Sequence, residues 1–500
     1  MINNLKNITV IGMGYVGVPC ALSFAKSSEI ESVIGIQRSD SQLSKNKIDK
    51  LNNYENPLDK DEPHIQTILN SLKTCDKQLI EPYYTSRNIY AQKKFKVTSD
   101  WSETKESDVF IICIQTPVSR GTKRMETKNI LSIVDNIFTH SKEKPLIIIE
   151  STVFPTFTSN FITNYITSHH NKHLDIDYYL AHAPERVMVG KLIENITLLP
   201  RIIGGASDAS TLLTERLYQK LSGDKFRFIT MTSTEAEITK TSENAIRDVQ
   251  IAMANELAII CDLHGADFYK VREGVNSLKG EGIARNLLLP GVGVGGHCLT
   301  KDTYLLLNGE GVGGYVCKNS DESMFLKARE FNDNMCVFVV DKVDNIICKL
   351  YERDDGKCFD SNGVKIGILG YSFIKNSGDF RETPTQMIIN EILNKCYCIA
   401  ERGIALGCNN IMVHDSYVNF EDAKKNGGLQ NNINVTRMID DVLKFSDIII
   451  VVVDHDEYFG IDVEKLLESG VIGIVDCKNV MKGCCFVNNN IIYKCVGNNV

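Results

Sequence analysis

Short runs of consecutive apolar residues alternate with helically spaced ones at both ends of this sequence, and the middle is helical. Asn7 to Ile11 reads as a buried strand, followed at once by Gly12-Met13-Gly14-Tyr15-Val16-Gly17 and a helical pattern through Phe24. Further apolar strands are Ser32 to Ile36, Val109 to Ile114, Leu146 to Glu150 and Tyr178 to His182. A second strand-helix alternation opens with Lys365 to Gly370 and continues near Asn410 to His414, Ile448 to Val453 and Ile472 to Asp476. Between the two, Thr234 to Glu237 has the Thr-x-x-Glu form of a capping box, and the pattern stays helical to about Asp262. Glu322 to Tyr351 reads as a second long helix, and the polar stretch Glu352 to Gly363 as a loop. The pattern predicts an α/β chain in which two Rossmann-like doubly wound units, 1–212 and 336–500, flank a central helical domain, 213–335.

Composition narrows the class. A chain of 500 residues exceeds one core, and 43% hydrophobic with 24% charged residues excludes disorder and fibre. A net charge of −8 without a basic patch argues against nucleic acid as a partner. The 16 cysteines are scattered with no C-x-x-C pair, so no metal site is expected, and reduced, mostly inert thiols of a cytoplasmic protein are. The apolar run from Ile8 to Ala25 is broken by Gly12, Gly14, Gly17 and Pro19, which is not how a signal peptide reads. No stretch has the roughly 18 uninterrupted apolar residues of a membrane span, and no membrane partner is expected.

Candidate chemistry gathers at strand ends. Gly12-x-Gly14-x-x-Gly17 lies between a strand and a helix, the setting in which glycines let a pyrophosphate approach a helix N-terminus. Where the second strand ends, an Asp or Glu usually holds the adenosine ribose; Gln37 and Arg38 stand there, which leaves NAD and NADP both open. Thr116 and Thr152 follow strands whose carboxyl ends face a ligand crevice, and Glu185-Arg186 follows the fifth. On the long helix, Lys240, Asn244, Arg247 and Asn255 share one quadrant, and the apolar surround suggests a buried helix whose polar stripe needs partners. Residues 288 to 304 carry Gly291, Gly293, Gly295 and Gly296 straight into His297 and Cys298, with Lys301 and Asp302 just beyond. A helix starting near Leu299 would place its N-terminal amides, and the lysine, where they favour a thiolate.

These residues, in this order, resemble the UDP-glucose/GDP-mannose dehydrogenase family, which oxidises the C6 alcohol of a nucleotide sugar to a carboxylate. The resemblance rests on the glycine turn, Thr116-Pro117, Ser151-Thr152-Val153, Pro184-Glu185-Arg186-Val187, Lys240 with Asn244, Asn255-Glu256, Gly295-Gly296-His297-Cys298, Lys301-Asp302 and Asp379-Phe380-Arg381-Glu382-Thr383-Pro384. Within the family, Glu243 to Val249 and Pro290 to Cys298 look like the UDP-N-acetylmannosamine dehydrogenases, and Gly35 to Arg38 is similar to archaeal members. The resemblance implies NAD as cofactor, on Gly12, Gly14, Tyr15, Val16, Gly17, Thr116, Thr152 and Lys301, with Gln37 and Arg38 at the ribose. It implies a UDP-sugar on Arg186, Val187, Asn244 and Arg247, and on Arg285, Gly295, Lys375 and Arg381. Cys298 is then the nucleophile and Lys240 the proton donor or acceptor, helped by Asn244. Lys375 lies one residue closer to Arg381 than the usual family lysine, and Lys478 stands where an arginine is common. The helical middle is expected to pair subunits into a homodimer or larger homo-oligomer.

The chemistry needs such a set. An aldehyde carbon carries its one hydride in the carbonyl plane, and thiolate addition makes it a tetrahedral hydride donor. The thioester that follows needs oxyanion donors and an activated water; Asp302 and Glu185 are exchangeable candidates for the latter. The competing readings are the same oxidation of UDP-glucose or of UDP-N-acetylglucosamine or galactosamine, a simple aldehyde dehydrogenase, and a non-catalytic sugar-nucleotide sensor.

Overall fold

In the computed structural model the N-terminal apolar runs become β1 (Asn7–Ile11), β2 (Ser32–Ile36), β3 (Phe95–Thr98), β4 (Val109–Ile112), β5 (Leu146–Ile149) and β6 (Tyr179–His182), joined by β7 (Arg201–Gly205) and β8 (Phe228–Thr232). The structure describes residues 5–58, 63–80, 94–142, 144–186, 199–222, 227–280, 283–284, 286–307, 323–353, 363–400, 408–481 and 491–498. It divides into two compact units, Met1–Glu243 with Tyr304–Lys318, and Asn244–Thr303 with Asn319–Val500.

The first unit is one sheet in the order β3-β2-β1-β4-β5-β6-β7-β8. All neighbours are parallel except β6 and β7. Its central strands bury both faces, Val10, Ile111 and Ile148 in one core and Ile11, Ile112 and Ile149 in the other. Two-sided burial is why these runs lack polar alternation. β3 and β8 escaped the apolar reading because β3 alternates in burial and β8 is largely exposed, whereas β7 is fully buried but has only two large apolar residues, Ile202 and Ile203, between Arg201 and two glycines.

The second unit repeats the plan with β11 (Ile366–Leu369), β12 (Ile411–His414), β13 (Asn434–Thr436), β14 (Ile448–Val451), β15 (Gly473–Asp476) and β16 (Ile492–Cys495), all parallel, in the order β13-β12-β11-β14-β15-β16. A two-stranded ladder of β9 (Lys279–Gly280) and β10 (Ile283–Ala284) stands apart. The helix Met324–Arg353 packs its Val339, Val343 and Ile346 into the core under β11 and β14. The expected loop 352–363 falls largely outside the described residues.

The long helix Ser233–Leu263 departs from expectation twice. Its reciprocal cap lies two residues earlier, where Thr232 N donates to Glu235 Oε2 at 2.7 Å and Glu235 N to Thr232 Oγ1 at 3.3 Å. Glu237 is instead fully buried and accepts the amides of Thr156 and Thr158 at 2.6 and 2.7 Å. The helix is also not enclosed on all sides. Ile246, Met253 and Ile260, spaced by seven, are about half exposed, and Arg247 beside them is exposed too. A spacing of seven returns to one face, so this is a continuous apolar stripe.

Eight cysteines, among them Cys20, Cys113, Cys298 and Cys477, are free thiols among the residues whose side chains are described. Among the described residues no helix is long and apolar enough to cross a membrane.

Candidate active site

The glycine turn after β1 has the shape a dinucleotide requires. Gly12 sits at φ +95°, and a Cβ there would meet the Cys113 carbonyl oxygen at 2.5 Å. A Cβ on Gly17 would lie 1.9 Å from the Gly12 carbonyl oxygen, so helix and turn touch through bare backbone. Nothing lies within 4 Å of a Cβ on Gly14, which leaves the middle of the turn open to a ligand. Tight turn, open approach and close helix contact are the three jobs of these glycines in dinucleotide sites, and the residues present fit NAD.

Around the turn, Met13 N donates to Gln37 Oε1 at 3.1 Å, which holds the Gln37 side chain against the loop. Arg38 points outward, 77% exposed and 3.6 Å from Asp40. Thr116 Oγ1 donates to the Thr152 carbonyl at 2.6 Å and Ser151 Oγ accepts Ile114 N at 2.9 Å, so the loops after β4 and β5 are fastened to each other.

The Glu185-Arg186 pair is drawn into a buried network that no motif announced. Arg201, on β7, bonds Glu185 Oε2 at 2.5 Å and also Glu150, and its guanidinium lies 4.1 Å over the Tyr218 ring. Glu185 Oε1 accepts Arg186 N at 2.7 Å, and Arg186 Nη2 meets Glu243 at 2.5 Å. Glu150 also takes the Tyr218 hydroxyl and the Cys20 and Cys113 thiols. Cys20, Cys113 and Glu150 could by spacing hold a metal, but the carboxylate is already committed to Arg201, and burial pushes the Cys113 thiol well up. Val187 and Arg285 lie outside the described residues.

In the second unit the cysteine loop is held by backbone contacts. Gly296, at φ +83°, donates its N–H to the Arg381 carbonyl at 2.9 Å, and a Cβ on Gly295 would strike Phe373. The Cys298 carbonyl accepts Asp302 N at 3.0 Å, opening the helix Leu299–Leu307. Cys298 is therefore at the expected helix start, half-buried, its Sγ 3.6 Å from His297 Nε2. Burial, then the charges of Arg381 and Lys301, push His297 down to about 4, so its ring is neutral at pH 7. Buried Asp302 accepts Asn244 Nδ2 at 2.5 Å and Lys301 Nζ at 2.9 Å. Three predicted residues from two helices thus meet at one carboxylate. Asn255 secures the loop's base, taking Gly291 N at 2.9 Å and donating to Asn332.

Residues 6–222, 234–334 and 367–483 match, respectively, the NAD binding, central and UDP binding domains of the UDP-glucose/GDP-mannose dehydrogenase family. The chain belongs to that family. It is similar to UDP-N-acetyl-D-mannosamine dehydrogenase of Methanocaldococcus jannaschii, 28% identical over 95% of this chain and 93% of the relative, and to that of Pyrococcus horikoshii, 28% identical over 95% and 96%. Among solved structures it is similar to an NDP-N-acetyl-D-galactosaminuronic acid dehydrogenase from Methanosarcina mazei, 33% identical with TM-score 0.79 over 99% of this chain and 96% of that one. The UDP-D-ManNAc dehydrogenase structure from Pyrococcus horikoshii superposes with TM-score 0.77 at 27% identity, over 98% and 99%.

As a member of the UDP-glucose/GDP-mannose dehydrogenase family, the protein is an NAD-dependent oxidoreductase whose first sheet is the NAD binding domain. Its UDP binding domain carries three basic groups in two kinds of setting. Arg381 is folded back on Asp379, Nε to Oδ1 at 2.8 Å, and Lys375 is paired with exposed Asp456 at 2.5 Å. Lys478 instead faces a cavity of about 600 Å³, which it lines with Tyr269, Arg272, Glu273, Asn276 and Leu289. Its ammonium is 2.8 Å from where a Gly291 Cβ would be, so the glycine makes room for it. Arg272 had no motif to mark it. The signal was present only as a helix, Phe268–Ser277, placing that guanidinium beside the cysteine loop, where its Nε donates to Leu287 O at 2.8 Å.

Proposed function

We propose that this dehydrogenase oxidises the C6 alcohol of UDP-N-acetyl-D-mannosamine to UDP-N-acetyl-D-mannosaminuronate. The observation that carries the reading is the match to mannosamine dehydrogenases along at least 93% of the chain. NAD, when bound on Gly12 to Gly17, Gln37, Thr116, Thr152 and Lys301, accepts one hydride in each of two oxidations. Lys240 takes the alcohol proton in the first. Cys298 then adds as thiolate to the aldehyde carbon, and loss of the second hydride leaves a thioester on its sulfur. Asn244 and Lys240 steady the oxyanions. Water attacks the thioester carbon, the C–S bond breaks, and the sulfur recovers its proton as the carboxylate leaves. Asp302 and Glu185 are exchangeable for activating that water, since each is buried with both carboxylate oxygens engaged, Asp302 by Asn244 and Lys301 and Glu185 by Arg201 and the Arg186 amide.

The 600 Å³ cavity takes the uridine diphosphate, with Lys478 and Arg272 facing its phosphates. Arg186, Arg247, Gly295, Lys375 and Arg381 serve the sugar nucleotide, the last two after leaving their present carboxylate partners. The domain limits are 1–212, 213–335 and 336–500. A second copy of the chain covers the stripe of Ile246, Met253 and Ile260, giving a homodimer, and the free thiols suit a cytoplasmic enzyme. An anaerobic assay with UDP-N-acetylmannosamine tests the reading: two NADH form per sugar nucleotide, and Cys298→Ser makes no acid. One NADH with free aldehyde would remove the thioester. A second reading, oxidation in the N-acetylgalactosamine series, has the 33% identical Methanosarcina mazei structure in its favour. The same assay run on both sugars separates the two.

A further inference from the structure

We infer that Glu237 is a positioning residue for Lys240: its buried carboxylate fastens the loop after β5 to the helix that carries the amine. This rests on the reading of Lys240 as the proton-transfer group.

The loop after β5 is pinned at its start, where Thr116 Oγ1 holds the Thr152 carbonyl and Ser151 Oγ holds Ile114 N. Its far end turns at Thr156, in the left-handed region at φ +73°, and a helical segment then starts at Phe157. A helix start exposes amides that lack partners within the helix. Glu237 supplies the partners, taking Thr156 N with one oxygen and Thr158 N with the other. On the long helix Glu237 and Lys240 are three residues apart and share a face. The same helix start presses on β7, where a Cβ on Gly204 would lie 2.7 Å from the Ala236 methyl. Burying a carboxyl group is unfavourable unless its oxygens are bonded, and here both are. Burial does push this carboxyl up to about 7, against the pull of the Thr158 and Thr156 groups. With one oxygen on each amide, the carboxyl group holds the two in one geometry, which fixes the lysine one turn away relative to the strand ends of the NAD binding domain. Misplacement of a reacting group by about 1 Å can cost on the order of 100-fold in rate.

The test is a double-mutant cycle on the full-length enzyme with Glu237→Gln and Lys240→Ala. The glutamine keeps one acceptor and turns a donor toward the other amide. On its own it should lower kcat roughly 10- to 100-fold while the KM for the sugar nucleotide stays within about 2-fold. In the Lys240→Ala background the same change should have little further effect. An equal loss in both backgrounds would mean that Glu237 acts on the fold at large, and an undiminished kcat in Glu237→Gln would end the proposal outright. Full activity in Lys240→Ala alone would instead refute the role of Lys240. If the glutamine variant does not accumulate as folded protein, Glu237→Asp, which retracts the charge by one methylene, must show the same split between kcat and KM; a wild-type kcat there overturns the inference.

Discussion

The two sheets share one strand order about their first strand, yet they use the turn that follows it in opposite ways. After β1 the chain makes the glycine turn, and the residue at the end of β2, Gln37, holds a single amide there, that of Met13. After β11 the chain reads Gly370-Tyr371-Ser372, and the residue after β12, Asp415, seizes the amides of both Tyr371 and Ser372 at 2.8 and 2.9 Å. It also takes Tyr417 N and Val418 N, at 2.9 and 3.1 Å. Burial alone would raise Asp415, but His455 and the amides outweigh it and hold the carboxyl below its ordinary range. A fixed anion thus occupies, in the second sheet, the place where the first stays open at Gly14. Topology supplies a switch point, and the local loop decides whether a dinucleotide can use it.

The sharpest way to break this contrast is Gly17→Val. With a Cβ 1.9 Å from the Gly12 carbonyl oxygen, the turn cannot keep its shape, and calorimetric titration should show NAD binding lost by more than about 100-fold. UDP binding, read on the same variant, should survive if the sheets are independent in this respect.

Acid should act next most strongly. Burial pushes His182, at the end of β6, down to about 3. An unfolded histidine binds its proton near pH 6.5, so folding is favoured fully above that value and loses stability as the pH falls toward 3. The loss reaches on the order of 5 kcal/mol, and His182→Gln should flatten the fall in melting temperature over that window. His414 in the second sheet is lowered for the same first reason, burial, and its substitution should remove a separate part of the slope. Asp415 behaves oppositely. Its depressed carboxyl contributes above about pH 4 and gives way only below it.

Asp415→Asn should cost about 2 to 3 kcal/mol in chemical denaturation, because a buried charged acceptor of four amides is lost. It should leave NAD affinity unchanged and raise the KM for the UDP-sugar. The smallest effect belongs to Gln37→Asp, which should tighten NAD over NADP by a few-fold, about 1 kcal/mol. An unchanged ratio in competitive binding would mean the ribose lies elsewhere.

Much of the scaffold could be read from the chain because its cause is local. β1 and β2 lie where two-sided apolar runs put them, and the long helix ends within a residue of its expected span. The cysteine loop, with glycines at 291, 293, 295 and 296, likewise leads into a helix at Leu299, as its sequence predicted. Its cap was misplaced because Thr-x-x-Glu occurs in two registers here, and only packing shows that Glu237 is claimed by Thr156 and Thr158, some eighty residues earlier. Arg201, which immobilises Glu185, carries no signal in its surroundings. Nor could periodicity tell that Ile246, Met253 and Ile260 face outward, because an apolar stripe looks the same whether this chain or another covers it.

From the order of its residues alone, this protein's two doubly wound halves, its glycine turn and its thiol at a helix start were all determined, each being a matter of backbone period and φ preference within a few residues. Which carboxylates remain available for chemistry was decided only in three dimensions. A charge taken out of water must find its partners wherever the chain brings them, and those partners are distant in sequence.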